Sequence, residues 1–134
     1  AVVTAEARRL VAERSFKISQ AVANLGQLGA LVTALHRSDL ELFGRSISDA
    51  LVEPVRAPLV PGFSAVKQAA LEAGALGCSL SGSGPSVFAF ARSDDQAQDL
   101  ADRMATRFRD AAGLESDSYV GKVNMRGARR VTEE

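Results

Sequence analysis

Apolar residues recur at three- and four-residue spacing along much of this chain, a pattern typical of helices that bury one face. The longest run predicts a helix from Phe16 to His36. Small residues give this helix a second face that another element can approach closely, namely Gly26, Ala30 and Ala34. We expect its apolar stripe to be buried, and that stripe consists of Ile18, Val22, Leu25, Leu28, Val32 and Leu35.

Capping and terminating residues mark four further helices. They are predicted for Ala5 to Ala12 after Thr4, for a short segment after Ser38 or Asp39 through about Ser46, for Pro61-Gly62 to Ala73, and for Ser93 to Gly113. The segment from Glu53 to Pro61 contains three prolines. Because a residue before proline is pushed out of the α region, this segment predicts a fixed, extended loop.

Short runs of strand-forming residues alternate with these helices. Cys78 to Leu80 and Ser86 to Ala91 flank a glycine-rich turn and predict an antiparallel pair. Further strand candidates are Val2 to Thr4, Ser118 to Val123 and Ala128 to Thr132. The predicted fold class is α+β, a two-layer sandwich with an antiparallel sheet of about four strands and helices on one face. Residues 1–134 are expected to form a single domain.

Composition narrows the function classes. Sixteen basic and sixteen acidic residues give zero formal net charge, so no global field favours nucleic acid. The single cysteine excludes an internal disulfide. The longest weakly polar stretch, Ala21 to Leu35, is too short to span a bilayer. We expect a soluble, cytoplasmic protein without nucleic-acid or membrane partners, and the start at Ala1 without Met suggests a chain cut from something longer.

The most informative segment is Gly77 to Ser86, GCSLSGSGPS, between the two predicted strands. Alternating glycine and serine free the backbone to point N–H groups at an anion, which is the chemistry of a phosphate loop. It is neither a Walker A loop nor a dinucleotide fingerprint, because no Lys-Ser or Lys-Thr follows and the next element is a strand. On spacing alone, a flexible hairpin connection remains the alternative.

Gly74 to Ala91, GALGCSLSGSGPSVFAFA, resembles the third conserved motif of the GHMP small-molecule kinases. Two segments narrow the resemblance to the homoserine kinase branch: Thr4 to Val11 is similar to its Thr-x-x-Ala-Arg segment, and Leu51 to Ala70 to its Glu-Pro-x-Arg-x-x-Leu-x-Pro segment. The resemblance implies a ferredoxin-like C-terminal domain. One departure is that Val11-Ala12 follows Leu10 where the family usually has a proline.

This resemblance implies an enzyme that phosphorylates L-homoserine with ATP to O-phospho-L-homoserine in threonine biosynthesis. Arg8 and Arg56 would bind the substrate carboxylate, with Arg9 as a rival for Arg8. Guanidinium suits this role because it offers planar, bidentate donors. The glycine-rich loop would lie near the nucleotide phosphates, and its residues are Ser81, Gly82, Ser83, Gly84 and Pro85.

The family's N-terminal phosphate loop and magnesium-binding groups have no counterpart in this chain. The resemblance therefore implies that ATP and Mg²⁺ are bound mainly by an N-terminal domain of the same protein, that no catalytic or metal-binding residue lies here, and that this chain alone is inactive. Two alternatives stay open: another GHMP kinase, such as one acting on mevalonate-type alcohols, and a non-catalytic small-molecule sensor. We also expect the isolated domain to self-associate through the face that the N-terminal half would cover, and we therefore predict a homo-oligomer.

Four single residues have structural interpretations. His36 is predicted to cap the end of the long helix, where a cation favours the helix dipole. Cys78 is predicted to be a buried structural thiol. Asp49 and Glu53 flank the Arg56 segment. We expect their carboxylates to be exposed to solvent, as isolated carboxylates usually are, and pairing with an arginine is the alternative.

Overall fold

The computed structural model describes residues 4–82, 85–128 and 130. It contains helices α1 (Thr4–Ala12), α2 (Ile18–Arg37), α3 (Leu40–Ser46), α4 (Glu53–Arg56), α5 (Phe63–Glu72) and α6 (Asp94–Ala112). A 3₁₀ helix, Ala57–Leu59, follows α4, and the hairpin of β1 (Gly77–Leu80) and β2 (Val87–Phe90) lies between α5 and α6. The α+β class and the five predicted helices are confirmed.

Local signals fix the ends of several helices. The Asp39 carboxylate accepts a hydrogen bond from the Leu42 amide and caps α3. At α6, Ser93 Oγ accepts from the Gln96 amide while Gln96 Oε1 accepts from the Arg92 amide. Gly113 ends α6 in the left-handed region, with φ of 64°.

The prediction of an extended loop from Glu53 to Pro61 is wrong. One turn of α-helix and a 3₁₀ helix occupy this segment. Each has a proline in its first turn, where the missing N–H costs no hydrogen bond. Asp49 supplies the cap, because its carboxylate accepts the amides of Leu51, Val52 and Glu53.

The hairpin is antiparallel, with Cys78 opposite Ala89 and Gly77 opposite Phe90. Cys78 and Ala89 face the main core, where α5 and α6 contribute Ala70 and Leu100. Residues alternate between the faces of a strand, so Gly77 and Phe90 face the other way. There the Phe90 ring lies 5.0 Å from that of Phe43 on α3. Helices thus contact both faces of the hairpin, and the prediction of one covered face is wrong.

Among the described residues the sheet has two strands. Ser118 to Val123, predicted as a strand, has no regular structure and is exposed. Thr4, predicted to end a strand, begins α1 instead. Val2 and Val3, and most of the candidate at Ala128 to Thr132, lie outside the described residues. The described segments of those candidates lack a partner strand, and strand-forming residues need one to satisfy their backbone hydrogen bonds.

Helix α2 presents its apolar stripe to the surface, contrary to prediction. Its six residues are 47–83% exposed. The opposite face packs inward through Ala34, which is buried, and through the half-buried polar side chains of Gln20 and Asn24. Gln20 donates to the Ala50 carbonyl at 3.1 Å, and Asn24 Oδ1 accepts the Ala50 amide at 2.7 Å. By length and composition alone α2 is long and apolar enough to cross a membrane, contrary to the expectation for the shorter stretch Ala21 to Leu35, and with 6% of it buried it is not a core helix.

Candidate functional site

The structure brings Arg56 to the glycine-rich loop. Arg56 ends α4, and its Nη1 donates a hydrogen bond to the Gly82 carbonyl at 2.8 Å. Its Nε is buried and has no hydrogen-bond partner among the described residues. A buried donor without an acceptor costs about 1–3 kcal/mol, so this Nε–H is suited to an incoming acceptor. Two parts of the predicted site therefore meet although they are far apart in sequence.

The glycine-rich loop closes the β1–β2 hairpin. The Ser81 amide donates to the Ser86 carbonyl at 2.8 Å, one residue pair beyond the strands. Gly82 has a φ of 60°, a left-handed conformation that side chains disfavour. Ser81, Gly82 and Pro85 are exposed, whereas Ser83 and Gly84 lie outside the described residues. The described part of the loop is thus small and open on the side away from the core.

Arg8 lies on α1, which packs against α4, the helix that carries Arg56. Arg8 is exposed, and no hydrogen bond or ion pair to another described residue involves it. Its rival Arg9 forms an ion pair with Glu13 at 2.9 Å on the same helix. The geometry leaves Arg8 the freer of the two to bind an anion.

Asp49 and Asn24 form a polar junction that sequence reasoning did not find. Asp49 Oδ1 accepts from Asn24 Nδ2 at 2.8 Å, in addition to the backbone amides of α4. Burial alone would raise the pKa of Asp49, but these hydrogen bonds outweigh it and the pKa lies below its usual value. An aspartate shortly before a proline-containing turn is a known capping pattern, so the bonds of Asp49 to the α4 amides could have been predicted from the sequence. Its bond to Asn24 on α2 could not, because no local pattern indicates it. Asp49 thus fixes α4, and through it Arg56.

Glu53 pairs with a lysine and not with an arginine. Its Oε1 accepts from Lys67 Nζ, and its Oε2 accepts from Ser79 Oγ. Both ionic side chains are largely buried, with exposures of 15% for Glu53 and 24% for Lys67. The expectation of a solvent-exposed carboxylate is therefore wrong for Glu53, and no local sequence pattern indicates Lys67 or Ser79 as its partners.

His36 and Cys78 lie where the sequence predicted. His36 is exposed in the last turn of α2. Cys78 is fully buried in the core, and burial raises the pKa of its thiol to about 11. In the described part of the chain no group of three or more histidine, cysteine, aspartate or glutamate side chains could hold a metal ion.

Known proteins with similar sequences and structures identify the family. Residues 31–110 match the family model "GHMP kinases C terminal". The chain is 48% identical to homoserine kinase of Chloroherpeton thalassium over 96% of this chain and 40% of the relative, and 44% identical to that of Arabidopsis thaliana over 82% of this chain and 30% of the relative. A crystal structure of homoserine kinase from Cytophaga hutchinsonii superposes with a TM-score of 0.87 and 49% identity, over 92% of this chain and 39% of that one.

This chain spans only about two fifths of the length of the relatives from Chloroherpeton thalassium and Cytophaga hutchinsonii, although they match almost all of it. The matched family model covers more than half of this chain and includes α3, the Arg56 helix, the glycine-rich hairpin and most of α6. The chain therefore belongs to the GHMP kinase family and corresponds to its C-terminal domain.

Proposed function

We propose that this chain is the C-terminal, substrate-binding domain of a homoserine kinase, which transfers the γ-phosphoryl group of ATP to the hydroxyl of L-homoserine and so serves threonine biosynthesis. The observation that carries the proposal is the hydrogen bond from Arg56 to the Gly82 carbonyl. It joins an arginine suited to a carboxylate to a loop suited to phosphate. The names of relatives at 44–49% identity support the same substrate.

In this proposal Arg8 and Arg56 hold the substrate carboxylate. Arg56 uses Nη1 on the loop, so Nη2 and the buried Nε remain for a planar, bidentate contact. The loop from Ser81 to Pro85 forms the wall next to the triphosphate, and its exposed glycine lets an anion approach the backbone closely. Phosphoryl transfer then depends on positioning and on charge neutralisation by groups outside this chain.

ATP and Mg²⁺ are assigned mainly to an N-terminal domain of the same protein. When bound, the metal ion neutralises charge on the phosphates. The residues of this chain fit a supporting role, because its loop offers backbone donors and small hydroxyls whereas its described carboxylates form no ligand cluster. The cytoplasm is the proposed location, and the reduced, buried Cys78 is compatible with it.

The sheet of about four strands and the oligomer are also proposals. Strand-forming residues at 118–123 need a neighbour, which the rest of a longer protein can supply. The exposed stripe of α2 is an apolar surface of the kind that marks protein contacts, so it supports docking of the N-terminal domain and homo-oligomer formation when that domain is absent.

The test compares the intact encoded protein with this 134-residue chain in ATP-dependent phosphorylation of L-homoserine. We expect an active intact protein and an inert chain. Phosphorylation of mevalonate in place of homoserine would favour another GHMP kinase. An intact natural protein of this length that binds a small molecule without turnover would favour the sensor.

Arginine variants of the active protein test the assigned roles. Arg56→Ala is expected to raise KM for L-homoserine by roughly tenfold to a hundredfold, since a charge-assisted hydrogen bond contributes about 1.5–3 kcal/mol. The same variant should change little with 3-aminopropan-1-ol, which lacks the carboxylate. Arg103→Ala is the matched control, because Arg103 is an exposed arginine of α6 that pairs with Asp99. Equal losses for both substrates would contradict a carboxylate role.

A further inference from the structure

Glu53, Lys67 and Ser79 form a cluster to which the proposed function assigns no role. The Glu53 carboxylate uses one oxygen for Lys67 Nζ and the other for Ser79 Oγ, each at 2.5 Å. These three residues belong to α4, α5 and β1, so a single carboxylate ties three elements together. The Lys67 ammonium also lies 5.9 Å from the ring centre of Phe63, which is buried.

The cluster lies directly beside the proposed substrate site. Glu53 and Arg56 are the first and last residues of α4, three positions apart, and such residues share one side of a helical turn. Glu53 bonds to Ser79 on β1, and Arg56 bonds to Gly82 just after β1. The short helix is therefore attached at two points to the strand that leads into the glycine-rich loop.

The charges explain why the attachment holds. A carboxylate that is largely buried needs a compensating cation and hydrogen-bond donors, and Lys67 and Ser79 supply them. Loss of the negative charge would remove the ion-pair partner that Lys67 has among the described residues, in a half-buried place. We expect α4 then to shift relative to β1, and Arg56 to shift with it.

We propose that Glu53 is a positioning residue, which sets the Arg56 guanidinium against the glycine-rich loop through its bonds to Lys67 and Ser79. The proposal rests on the function proposed above. Small displacements of groups that orient a substrate reduce rates strongly, by up to roughly a hundredfold for about 1 Å. Glu53 touches no substrate in this scheme; it acts through Arg56.

The first test is a double-mutant cycle in the intact protein. Glu53→Gln keeps the size of the side chain and removes its charge, and we expect KM for L-homoserine to rise about tenfold or more. In an Arg56→Ala background the same change should have little further effect. Lys67→Arg preserves the ion pair and should therefore leave KM for L-homoserine close to the wild-type value. Additive effects of Glu53→Gln and Arg56→Ala would overturn the proposal.

A second measurement does not depend on turnover. In isotope-labelled intact protein, Glu53→Gln should shift the Arg56 Nε–H and Gly82 amide resonances, whereas Glu72→Gln, on an exposed glutamate of α5, should not. Unchanged resonances in Glu53→Gln would overturn the positioning role even if the kinase is active. Shifted resonances in a protein that does not phosphorylate homoserine would support the positioning role and reject only the proposed function.

Discussion

Cys78 connects the core to the proposed site, because it precedes Ser79 on β1 and packs against α5 and α6. Burial raises the pKa of its thiol to about 11; the nearby Lys67 lowers the pKa and Glu53 raises it. Only the thiolate is nucleophilic, so at pH 8 the folded chain presents roughly one reactive thiol in a thousand. Cys78 is therefore a packing residue and not a reactive one.

We predict that Cys78 reacts with a disulfide reagent at pH 8 at least about a hundredfold more slowly in the folded chain than in urea, where its pKa returns to about 8.5. The reaction is followed by absorbance. Adding an exposed thiol with Ser118→Cys gives an internal control, and we expect one fast and one slow phase. Two fast phases in the folded chain would contradict the buried thiol.

Asp49 predicts how stability depends on pH. Its folded-state pKa is lowered, because its hydrogen bonds outweigh the effect of burial. A group with a depressed folded pKa contributes stability above its unfolded pKa, about 3.9, and loses it as pH falls through the folded value. The Asp49 contribution should therefore be complete at neutral pH, begin to shrink below about pH 4 and disappear below the folded-state pKa.

Urea denaturation of Asp49→Asn at several pH values checks this. At pH 7 we expect a loss of about 1 kcal/mol in the free energy of unfolding, because the amide nitrogen that replaces one carboxylate oxygen cannot accept the hydrogen bond from the Glu53 amide. The difference from wild type should shrink as pH falls below about 4. Asp117→Asn, on an exposed aspartate, should be neutral throughout. A difference that stays constant down to pH 3 would show that the charge of Asp49 does not matter.

At the scale of elements, close contact between α3 and β1 depends on glycine. A Cβ at Gly44 would overlap the Leu76 backbone carbonyl, and a Cβ at Gly77 would lie 2.6 Å from that of Ile47. Backbone and a β-branched side chain cannot move aside cheaply. In contrast, a Cβ at Gly26 of α2 would meet nothing within 4 Å.

Thermal or urea unfolding of two alanine variants tests this contact. Gly44→Ala should destabilise the chain by about 1–3 kcal/mol, the usual effect of overpacking. Gly26→Ala, a matched change in an exposed helix position, should stabilise it by about 0.5–1 kcal/mol, because alanine loses less backbone entropy in a helix. Equal effects of the two changes would mean that α3 does not pack as closely on β1 as the structure has it.

Sequence predicted the elements whose signals are local. The start of α3 after Ser38 or Asp39, the start of α6 at Ser93 and its end at Gly113 each depend on residues within one turn, and all three are confirmed. The segment after Glu53 was predicted wrongly, because its prolines are compatible with a loop or a first turn and the deciding cap, Asp49, lies outside it. Likewise, Arg56 was found by resemblance, whereas its contact with Gly82 spans 26 positions that no local pattern encodes.

At the scale of the whole molecule, the main discrepancy is the outward stripe of α2. Periodicity reveals that one face of a helix is apolar, but it does not reveal which partner covers that face. Here the polar side chains of Gln20 and Asn24 form hydrogen bonds with the backbone of Ala50, so the face of α2 that carries them packs against the rest of the domain. The apolar residues are left on a surface that runs along a helix of 20 residues.

Such a surface should drive self-association of the 134-residue chain, because contiguous exposed apolar area marks contacts. We expect light scattering to give a dimer or larger species. Leu25→Lys with Leu28→Lys should yield a monomer, since both leucines are more than half exposed and belong to the stripe. Leu71→Lys, on an exposed leucine of α5, should leave the association unchanged.

The same substitutions in the intact protein distinguish the two partners proposed for the α2 stripe, an N-terminal domain and a second copy of the chain. If the N-terminal domain covers α2, the Leu25→Lys and Leu28→Lys pair should destabilise the intact protein, because charges would then be buried at the domain contact without partners. If a second copy covers α2, the pair should leave each subunit folded and only lower the mass in solution. A clean monomer of the unsubstituted 134-residue chain would exclude self-association through this stripe and favour the proposed N-terminal domain as its partner.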